Sequence, residues 1–448
     1  MTKNILISDA NHGGITLLKE YYKYTDNNLF FYDVYNKLTH DEKLELSNKY
    51  NVKFLSLDYI IKHRTDFITI NPIHMNPVFS SDYTHHEFTG YLINKHRLRY
   101  GWNFKIIEVT GVKGKTSTAT LISSVLKNNS VLTLTSHDLS YHSPSEDIVL
   151  STSLSITPAS IITALNIACE NDLLDKIDYC VFEVSLGITS YCDIGILTNI
   201  LEDYPIAQGN QTASSAKKSI FNSKQVLCDM SAYNTYYSNV NKDVITVSTS
   251  DSRADIHTSK INYDIKNTHF KVQYNKEELS LSMFAVSDFY ITNILFAMGV
   301  GLILGLDNNE IISNIENMNI IPGRGSYKIV NNKMVLEDIN SGLNTTSIKK
   351  CVDNTTRYTS NYIIILGGDY GITCEEIDEN KLLKYLKTVP SNKVILTGEL
   401  GNSLKKQGLP IIYIDNLQDA YHEALNRNYE IIHVIYRSEY NTRKLVCN

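Results

Sequence analysis

The feature that most constrains this chain is a glycine-containing turn at residues 109–118, with the sequence V-T-G-V-K-G-K-T-S-T. An apolar run at 104–109 leads into the turn and predicts a short buried strand, and helix-period residues at 118–126 lead out of it. In a strand–turn–helix of this kind, glycines let backbone N–H groups converge on an anion, and the helix N-terminus adds the positive end of its dipole. The pattern therefore predicts a polyphosphate-binding loop. The alternative is an ordinary glycine turn that carries two exposed lysines.

The spacing of this loop differs from that of the common nucleotide loop, G-x-x-x-x-G-K-[ST]. Here the glycines are Gly111 and Gly114, so the segment between them is two residues shorter, and position 109 is valine. Lys115 would reach the β- and γ-phosphates of a nucleotide, and the Thr116 hydroxyl would ligate Mg²⁺. We therefore interpret the segment as a shortened nucleotide loop.

Length and composition limit the other possibilities. At 448 residues the chain is long enough for two or three domains of ~100–200 residues each. A hydrophobic fraction of 43% and a net charge of −6 indicate a globular chain without a broad nucleic-acid surface. No apolar run approaches the ~20 residues that cross a bilayer, and the N-terminus shows no signal-peptide pattern. Seven cysteines without a C-x-x-C pair favour reduced thiols. We expect a cytoplasmic protein without a nucleic-acid or membrane partner.

Strands alternate with helical patterns along the whole chain, which predicts α/β construction with parallel βαβ units. We expect an N-terminal α/β substrate-binding domain at 1–100, a central P-loop ATP-binding domain at 101–322 and a C-terminal α/β domain at 323–448. The sequence P-G-R-G at 322–325 has the punctuation of a hinge between the last two domains.

Four histidines in the first hundred residues are candidates for substrate contact. His12 follows the first predicted strand in the loop D-A-N-H-G-G, which is either a ligand site or a tight turn. His74, His85 and His86 lie in the segment that leads to the nucleotide domain. Adjacent His85 and His86 would face opposite sides of a strand, so we do not expect them to bind one metal ion together. The alternative is that they are surface or helix-capping residues.

A carboxylate is needed beside the phosphates, because Mg²⁺ bound with phosphates usually takes one or two protein carboxylates. Glu183 ends a buried strand, D-Y-C-V-F-E, within the nucleotide domain. We predict that Glu183 ligates Mg²⁺; the alternative is an ordinary surface charge at a strand end.

The order of motifs resembles the Mur ligase family: T-G-x-K-G-K-T-S, then T-P before a helix, E-V-S, L-T-N-I-x-x-D, S-A-K-x-x-x-F and G-R. The likeness spans residues 104–340 and implies a three-domain architecture with Rossmann-like first and third domains around a P-loop ATPase domain. It also implies that ATP converts a carboxylate into an acyl phosphate, which a nucleophile attacks.

The resemblance assigns roles to individual residues. It gives catalytic roles to Lys115, Glu183 and Lys217, and ATP contacts to Gly111, Lys113, Gly114, Lys115, Thr116, Ser117, Asn293, Arg324 and Asp338. Mg²⁺ would be held by Thr116, Glu183 and Lys217, the last matching a lysine that many family members carbamylate. For Lys217 the alternative is an ordinary surface lysine beside Lys218. Asn293 matches an adenine contact, and Arg324 and Asp338 match residues that reach ATP from the third domain.

Departures from the cell-wall ligases indicate a changed substrate. Asp338-Ile339-Asn340-Ser341 stands where those enzymes have D-Y-A-H, and Glu202-Asp203-Tyr204 stands where they have R-D-H, so both histidines are missing. Together with the segments at 9–14, 84–87, 340–344 and 367–378, these departures make the chain similar to the methanogen branch of the family, the coenzyme F(430) synthetases. That likeness implies activation of a propionate on a nickel tetrapyrrole, 15,17(3)-seco-F(430)-17(3)-acid, and attack by a ring carbon of the same molecule.

Two alternatives remain open at this point. A Mur-type peptide ligase, such as one acting on archaeal pseudomurein, would share every ATP-site residue and add an amino acid to a UDP-linked acceptor. A nucleotide-dependent scaffold protein would retain only a degenerate core, against which the intact Lys115, Thr116 and Glu183 argue.

Overall fold

The computed structural model describes residues 4–25, 28–75, 79–264, 266–285, 287–318, 321–372, 377–443 and 445. They form two compact units: the first is Met1–Ser259, Lys271–Leu279 and Thr292–Glu316, and the second is Lys260–Phe270, Ser280–Ile291 and Asn317–Asn448. The three-domain division at 1–100, 101–322 and 323–448 stays a prediction. Residues 373–376, which fall within the segment 367–378 used for the family resemblance, lie outside the described residues. Among the described helices, none is long and apolar enough to cross a membrane.

The first unit begins with a five-stranded sheet in the order β3-β2-β1-β4-β5, in which every pair is parallel. The strands are β1 Asn4–Ser8, β2 Leu29–Tyr32, β3 Val52–Phe54, β4 Phe67–Asn71 and β5 Tyr83–Thr84. The helices are α1 Gly14–Tyr22, α2 His40–Tyr50, α3 Leu57–Lys62 and α4 His85–Tyr100. The predicted parallel construction is confirmed, and because β1 is central, its carboxyl end lies at the middle of one sheet edge.

A larger sheet follows, in the order β18-β17-β16-β15-β14-β11-β6-β10-β7-β8-β9. Its strands up to β11 are β6 Lys105–Thr110, β7 Val131–Leu134, β8 Leu139–Ser143, β9 Glu146–Ser151, β10 Tyr179–Glu183 and β11 Ile194–Leu197. After the short pair β12 Pro205–Ile206 and β13 Gln211–Thr212 come β14 Gln225–Asp229, β15 Ile245–Ser248, β16 Ile256–Asn262, β17 Thr268–Tyr274 and β18 Glu277–Met283. The helices are α5 Lys115–Val125, α6 Pro158–Glu170, α7 Ala213–Lys217, α8 Met230–Ala232, α9 Asp288–Leu304 and α10 Asn308–Glu316.

The strands that position the site, β6, β10 and β11, are parallel, adjacent and buried. Such strands read as continuous apolar runs because helices cover both faces of the sheet. β6 ends where the glycine turn begins, and Glu183 at the end of β10 is in register with Val109 of β6. The sheet therefore places the carboxylate of Glu183 beside the predicted phosphate loop.

The second unit contains a six-stranded sheet in the order β19-β20-β24-β21-β22-β23. Its strands are β19 Arg324–Val330, β20 Lys333–Ile339, β21 Tyr362–Gly368, β22 Val394–Thr397, β23 Ile412–Ile414 and β24 Ile431–Arg437. Its helices are α11 Thr345–Tyr358, α12 Glu379–Leu386, α13 Gly398–Lys406 and α14 Leu417–Asn426. Alternate residues of β21 enter two apolar clusters, Ile364 and Leu366 in one and Ile363 and Ile365 in the other. Both faces of this sheet are therefore covered, as α/β construction requires.

Candidate active site

The glycine turn adopts a backbone that only glycine accommodates. Gly111 has φ 149° and Gly114 has φ 84°, both in the region that side chains rarely adopt. A Cβ atom on Gly111 would overlap Thr198 Oγ1, and one on Gly114 would lie 2.6 Å from Asn293 Oδ1. The two glycines of the motif are thus required by conformation and by space. The alternative is a glycine turn with two exposed lysines, but Lys113 and Lys115 are half-buried.

Thr198 and Asn199, which follow β11 directly, hold the glycine turn in place through hydrogen bonds to the backbone of Lys113. Asn199 accepts a hydrogen bond from Lys113 N at 3.1 Å and donates one to Lys113 O at 3.0 Å. Thr198 Oγ1 donates to the same carbonyl oxygen at 2.5 Å. These contacts explain the L-T-N-I motif, whose threonine and asparagine hold the loop rather than contribute new reactive groups. Neither residue was assigned a role from the sequence.

Helix α5 begins at Lys115, three residues earlier than the sequence pattern predicted, so Lys115, Thr116 and Ser117 form its first turn. Its N-cap is Gly114, and no side chain caps the helix. By contrast, a capping box closes the N-terminus of α4. Uncapped N–H groups at a helix start attract anions. Lys115 Nζ lies 3.2 Å from Gly111 O, so the ammonium group lies over the turn where a phosphate would be held.

Asn293, on helix α9, lies directly beneath the turn. Its Oδ1 accepts a hydrogen bond from Thr118 Oγ1 at 3.1 Å, and its side chain is buried against Gly114. The structure thus places Asn293 at the loop, while its predicted contact with adenine stays a prediction.

Glu183 is buried and belongs to a small cluster of polar side chains at the loop, which also contains Thr116 and Ser136. Its Oε2 accepts a hydrogen bond from Ser136 N at 2.9 Å, and Ser136 Oγ lies 3.1 Å from Thr116 Oγ1. The alternative that Glu183 is a surface charge is wrong, because its side chain is 2% exposed. Thr116, Ser136 and Glu183 offer oxygen atoms of the kind that Mg²⁺ prefers. Ser136, which follows β7, had no motif that would have identified it.

Lys217 is fully buried at the end of α7, so the alternative of an ordinary surface lysine is wrong. Asp203 fixes the start of this helix, because its carboxylate accepts hydrogen bonds from Ser214 N and Ser214 Oγ, both at 2.7 Å. Lys217 Nζ lies 5.5 Å from the centre of the Tyr204 ring, within the range of a cation–π contact. Tyr204 occupies the position where the cell-wall ligases have a histidine. Lys218, in contrast, is exposed.

Three of the four candidate histidines surround one carboxylate at the carboxyl end of β1. Asp9 is fully buried, and its Oδ2 lies 2.5 Å from His12 Nδ1 and 3.9 Å from His74 Nε2. The rings of His12 and His74 meet edge to face at 4.0 Å. His85 Nε2 lies 3.0 Å from Ser8 O, and its Nδ1 lies 3.3 Å from His12 O. The loop is both a tight turn and a polar cluster.

The expectation that His85 and His86 lie on a strand is wrong, as is the alternative that they are surface or capping residues. They are buried in the first turn of helix α4, whose cap is Thr84. His86 Nε2 donates to Ser185 O at 2.8 Å, two residues beyond Glu183. A Cβ atom on Gly13 would overlap Ala159 in the first turn of α6, so the His12 loop packs closely against the nucleotide-binding part of the unit. The histidines therefore lie on the same side of the first unit as Glu183.

Burial keeps the imidazoles of His74, His85 and His86 neutral. It lowers the pKa of His74, His85 and His86 to about 4 each, because transfer from water disfavours the charged ring. Asp9 opposes this effect at His74 and His85 without reversing it.

In the second unit, Arg324 and Asp338 are opposite each other on the antiparallel strands β19 and β20. Asp338 accepts a hydrogen bond from Gly325 N at 3.0 Å, and His433 Nε2 lies 2.9 Å from its other oxygen. Their contacts with ATP stay predictions. His433 supplies a histidine beside Asp338 from the neighbouring strand β24, which the linear motif could not reveal because the residues are far apart in sequence.

Replacing Gly111 with alanine tests the loop geometry. We expect the unfolding free energy to fall by at least about 2 kcal/mol and ATP turnover to be lost, because strain at positive φ adds to the overlap with Thr198. Gly101→Ala is the matched control, since Gly101 also has positive φ but faces open space. Equal effects of the two substitutions in urea unfolding and ATP turnover would contradict this interpretation.

The buried His85 predicts a loss of stability in acid. Its pKa is about 4 when folded and 6.5 at the ordinary value, so the unfolded chain binds more protons as pH falls through this window. This residue should lower the unfolding free energy by about 2 kcal/mol at pH 5 relative to pH 7.5. Urea unfolding at both pH values should show a smaller loss for His85→Gln than for the natural protein. Equal losses would show that His85 titrates alike in both states.

Comparison with known proteins identifies the family and the fold. The Mur ligase middle domain family matches residues 109–301, and the family described as Coenzyme F430 synthetase CfbE, C-terminal domain, matches 327–439. The MurF ligase of Thermotoga maritima, solved in complex with ADP, superposes with a TM-score of 0.59 at 14% identity, covering 98% of this chain and 94% of that one. At this identity the likeness is one of fold. The fold and the site define a Mur ligase-like, ATP-dependent ligase.

Two curated relatives narrow the class. The coenzyme F(430) synthetase of Methanocaldococcus jannaschii is 31% identical over 413 residues, covering 89% of this chain and 92% of that protein. The coenzyme F(430) synthetase of Methanosarcina acetivorans is 26% identical over 441 residues, covering 89% and 90%. The chain belongs to the coenzyme F(430) synthetase family, and the resemblance inferred from its motifs is confirmed.

Proposed function

We propose that this enzyme uses ATP to activate a propionate carboxylate of the nickel tetrapyrrole 15,17(3)-seco-F(430)-17(3)-acid and closes a carbocyclic ring. A carbon of the same molecule attacks the acyl phosphate, and ADP and phosphate are released. The observation that carries the proposal is the 31% identity to a coenzyme F(430) synthetase across 92% of that protein's length. We place the reaction in the cytoplasm.

The first half-reaction is phosphoryl transfer from ATP to the carboxylate. Lys115 and the N–H groups at the start of α5 face the position of the phosphates and would offset the negative charge that develops during transfer. The clamp of Thr198 and Asn199 holds these donors in place before the substrate binds. Preorganised donors need no rearrangement during the reaction, which is why they favour the transition state.

The cluster of polar side chains at the loop, Thr116, Ser136 and Glu183, offers oxygen ligands that fit Mg²⁺. Thr116 and Glu183 meet through Ser136, and the buried carboxylate of Glu183 offers an anionic oxygen. We assign Thr116 and Glu183 as protein ligands, with Lys217 contributing when its amine carries a carbamate. Bound Mg²⁺ would supply positive charge that offsets the negative charge of the phosphates. Asp203 positions Lys217 by anchoring the first turn of α7.

The substrate side is assigned to the histidine cluster of His12, His74, His85 and His86. The cluster lies at the carboxyl end of β1, where open α/β sheets bind ligands, and burial keeps the rings of His74 and His85 neutral. His86 connects the cluster to the segment that follows Glu183. This arrangement would let a substrate held at the cluster present its carboxylate to the phosphate loop.

A substrate panel tests the proposal. Purified protein is incubated with ATP, Mg²⁺ and either the nickel seco-acid alone or a UDP-linked peptide with amino acids, and phosphate release is measured. We expect release with the nickel seco-acid and no dependence on amino acids. Release only with the UDP-linked peptide and amino acids would identify a peptide ligase and contradict the proposal.

A further inference from the structure

We propose that His12, oriented by Asp9, is the general base that removes the proton from the attacking carbon during ring closure. This inference rests on the proposed function, because it assigns a residue to the second half-reaction.

The geometry of Asp9 and His12 resembles a catalytic carboxylate–imidazole pair. Asn11 N donates to Asp9 Oδ1 at 3.0 Å, which fixes the carboxylate, and Oδ2 lies 2.5 Å from His12 Nδ1. The carboxylate is fully buried, whereas the imidazole side chain is 38% exposed. The proton on the ring is therefore held at Nδ1, and the lone pair at Nε2 is the one that remains for a substrate.

The backbone and neighbouring rings hold His12 in this orientation. Asp9 has φ 74° and Gly13 has φ 97°, so the loop turns sharply on either side of the pair. The ring of His74 packs edge to face against His12 at 4.0 Å. Such strained backbone is costly and is maintained where the surrounding structure requires it. The loop therefore presents one imidazole on a rigid support.

Among the described groups that face the Asp9–His12 pair, Asp9 supplies the negative charge. The titratable neighbours in the part of the chain that the structure describes are His74 and His85, which contact the pair or its loop, and Tyr35, which lies within the field of Asp9. His86 lies further out and acts on His74 and His85. Burial keeps the three neighbouring imidazoles neutral, and burial together with Asp9 raises the pKa of Tyr35. The charge of Asp9 is thus directed at His12, and it stabilises the imidazolium that forms when His12 accepts a proton.

Ring closure requires this proton transfer. A carbon–hydrogen bond of the nucleophile breaks, its electron pair forms the new bond to the acyl carbon, and the acyl carbon–oxygen bond breaks. Phosphate leaves with the electrons of that bond, and the proton passes to His12 Nε2 and then to the departing phosphate or to water. The products are a ketone and hydrogen phosphate, and no oxidant or reductant is consumed. In amide-forming ligases the nucleophile is the amine of a second substrate. Here the nucleophile is a carbon, so the reaction specifically needs a base that removes a proton from carbon.

The experiment separates the two half-reactions in His12→Gln. Hydroxylamine traps an acyl phosphate as a hydroxamate, which reports activation, and mass spectrometry of the ring-closed product reports the second step. We expect ring closure to fall by about 100-fold or more while hydroxamate formation stays within about threefold. Added imidazole should restore part of the ring closure in His12→Ala, in which the shortened side chain leaves space for it. The pH profile of this step should lose its dependence on one basic group.

His63→Gln is the matched control, because His63 also faces an aspartate three residues away, with Nδ1 3.4 Å from Asp66 Oδ2. It should leave both readouts unchanged. Unaltered ring closure in His12→Gln would overturn the assignment, and so would a parallel loss of hydroxamate, which indicates a binding role. A stoichiometric metal ion that His12→Gln releases would also overturn it, since the ion would occupy the nitrogen that faces Asp9. Absence of hydroxamate from the natural protein would instead contradict the proposed function.

Discussion

Replacing Lys115 with alanine is expected to abolish ATP turnover, a fall of about 1,000-fold or more. Lys115 Nζ lies over the glycine turn, 3.2 Å from Gly111 O, and is the cationic side chain carried by the first turn of α5. Without it, the charge that develops on the transferred phosphoryl group would lose the side-chain cation that α5 contributes, and the backbone donors and Mg²⁺ would remain. Release of ADP in the presence of the carboxylate substrate measures the effect directly.

Lys105→Ala is the control for that substitution. Lys105 is an exposed lysine at the opposite end of β6, so its removal changes the net charge equally but leaves the loop intact. We expect turnover by this variant to match that of the natural protein. If Lys115→Ala turned over ATP at the natural rate, the phosphate site would have to lie elsewhere.

The second large effect is expected at Lys217. Its side chain is fully buried beside Tyr204, and a carbamate on its amine would supply an anionic ligand for Mg²⁺. Lys217→Ala should lower turnover by about 100-fold or more, as loss of a group that stabilises transition-state charge does. Acetate or formate at high concentration should restore part of the activity, because a small carboxylate can enter the vacated space and replace the carbamate.

Two further variants make the Lys217 test specific. Lys217→Met fills most of the volume of lysine, so it should remain folded, be equally inactive and resist rescue by acetate. Lys218→Ala removes the adjacent exposed lysine and should retain full activity. Failure of acetate to rescue Lys217→Ala, with normal folding shown by circular dichroism, would exclude the carbamate. Full activity of Lys217→Met would remove Lys217 from the site.

The nucleotide site could be predicted because its determinants are local in sequence. The glycine turn at Gly111 and Gly114, the helix that follows it and the buried strand that ends at Glu183 all follow from short patterns, although the helix begins at Lys115 rather than at residue 118. Parallel pairing of β6 and β10 then brings these segments together without further information. The alternation of strand and helix patterns along the chain likewise predicts the α/β construction of both units.

The rest depends on contacts between distant segments. Ser136 joins Thr116 to Glu183 from a loop after β7, and His433 reaches Asp338 from a strand 95 residues further along the chain. The sequence pattern places His85 and His86 on a strand, whereas Thr84 and Glu87 form a capping box that starts a helix there. Burial of Lys217 depends on how Tyr204 and the α7 segment pack. Periodicity along the chain contains none of this information.

The most direct test of the central claim follows the carboxylate oxygens of the nickel seco-acid. The substrate is labelled with ¹⁸O in the propionate carboxylate and incubated with ATP, Mg²⁺ and the protein, without amino acids. Mass spectrometry should find one ¹⁸O in each phosphate released, one ADP per turnover, and a tetrapyrrole product lighter than the substrate by one molecule of water. Unlabelled phosphate, or a product that forms only when an amino acid is added, would contradict the account.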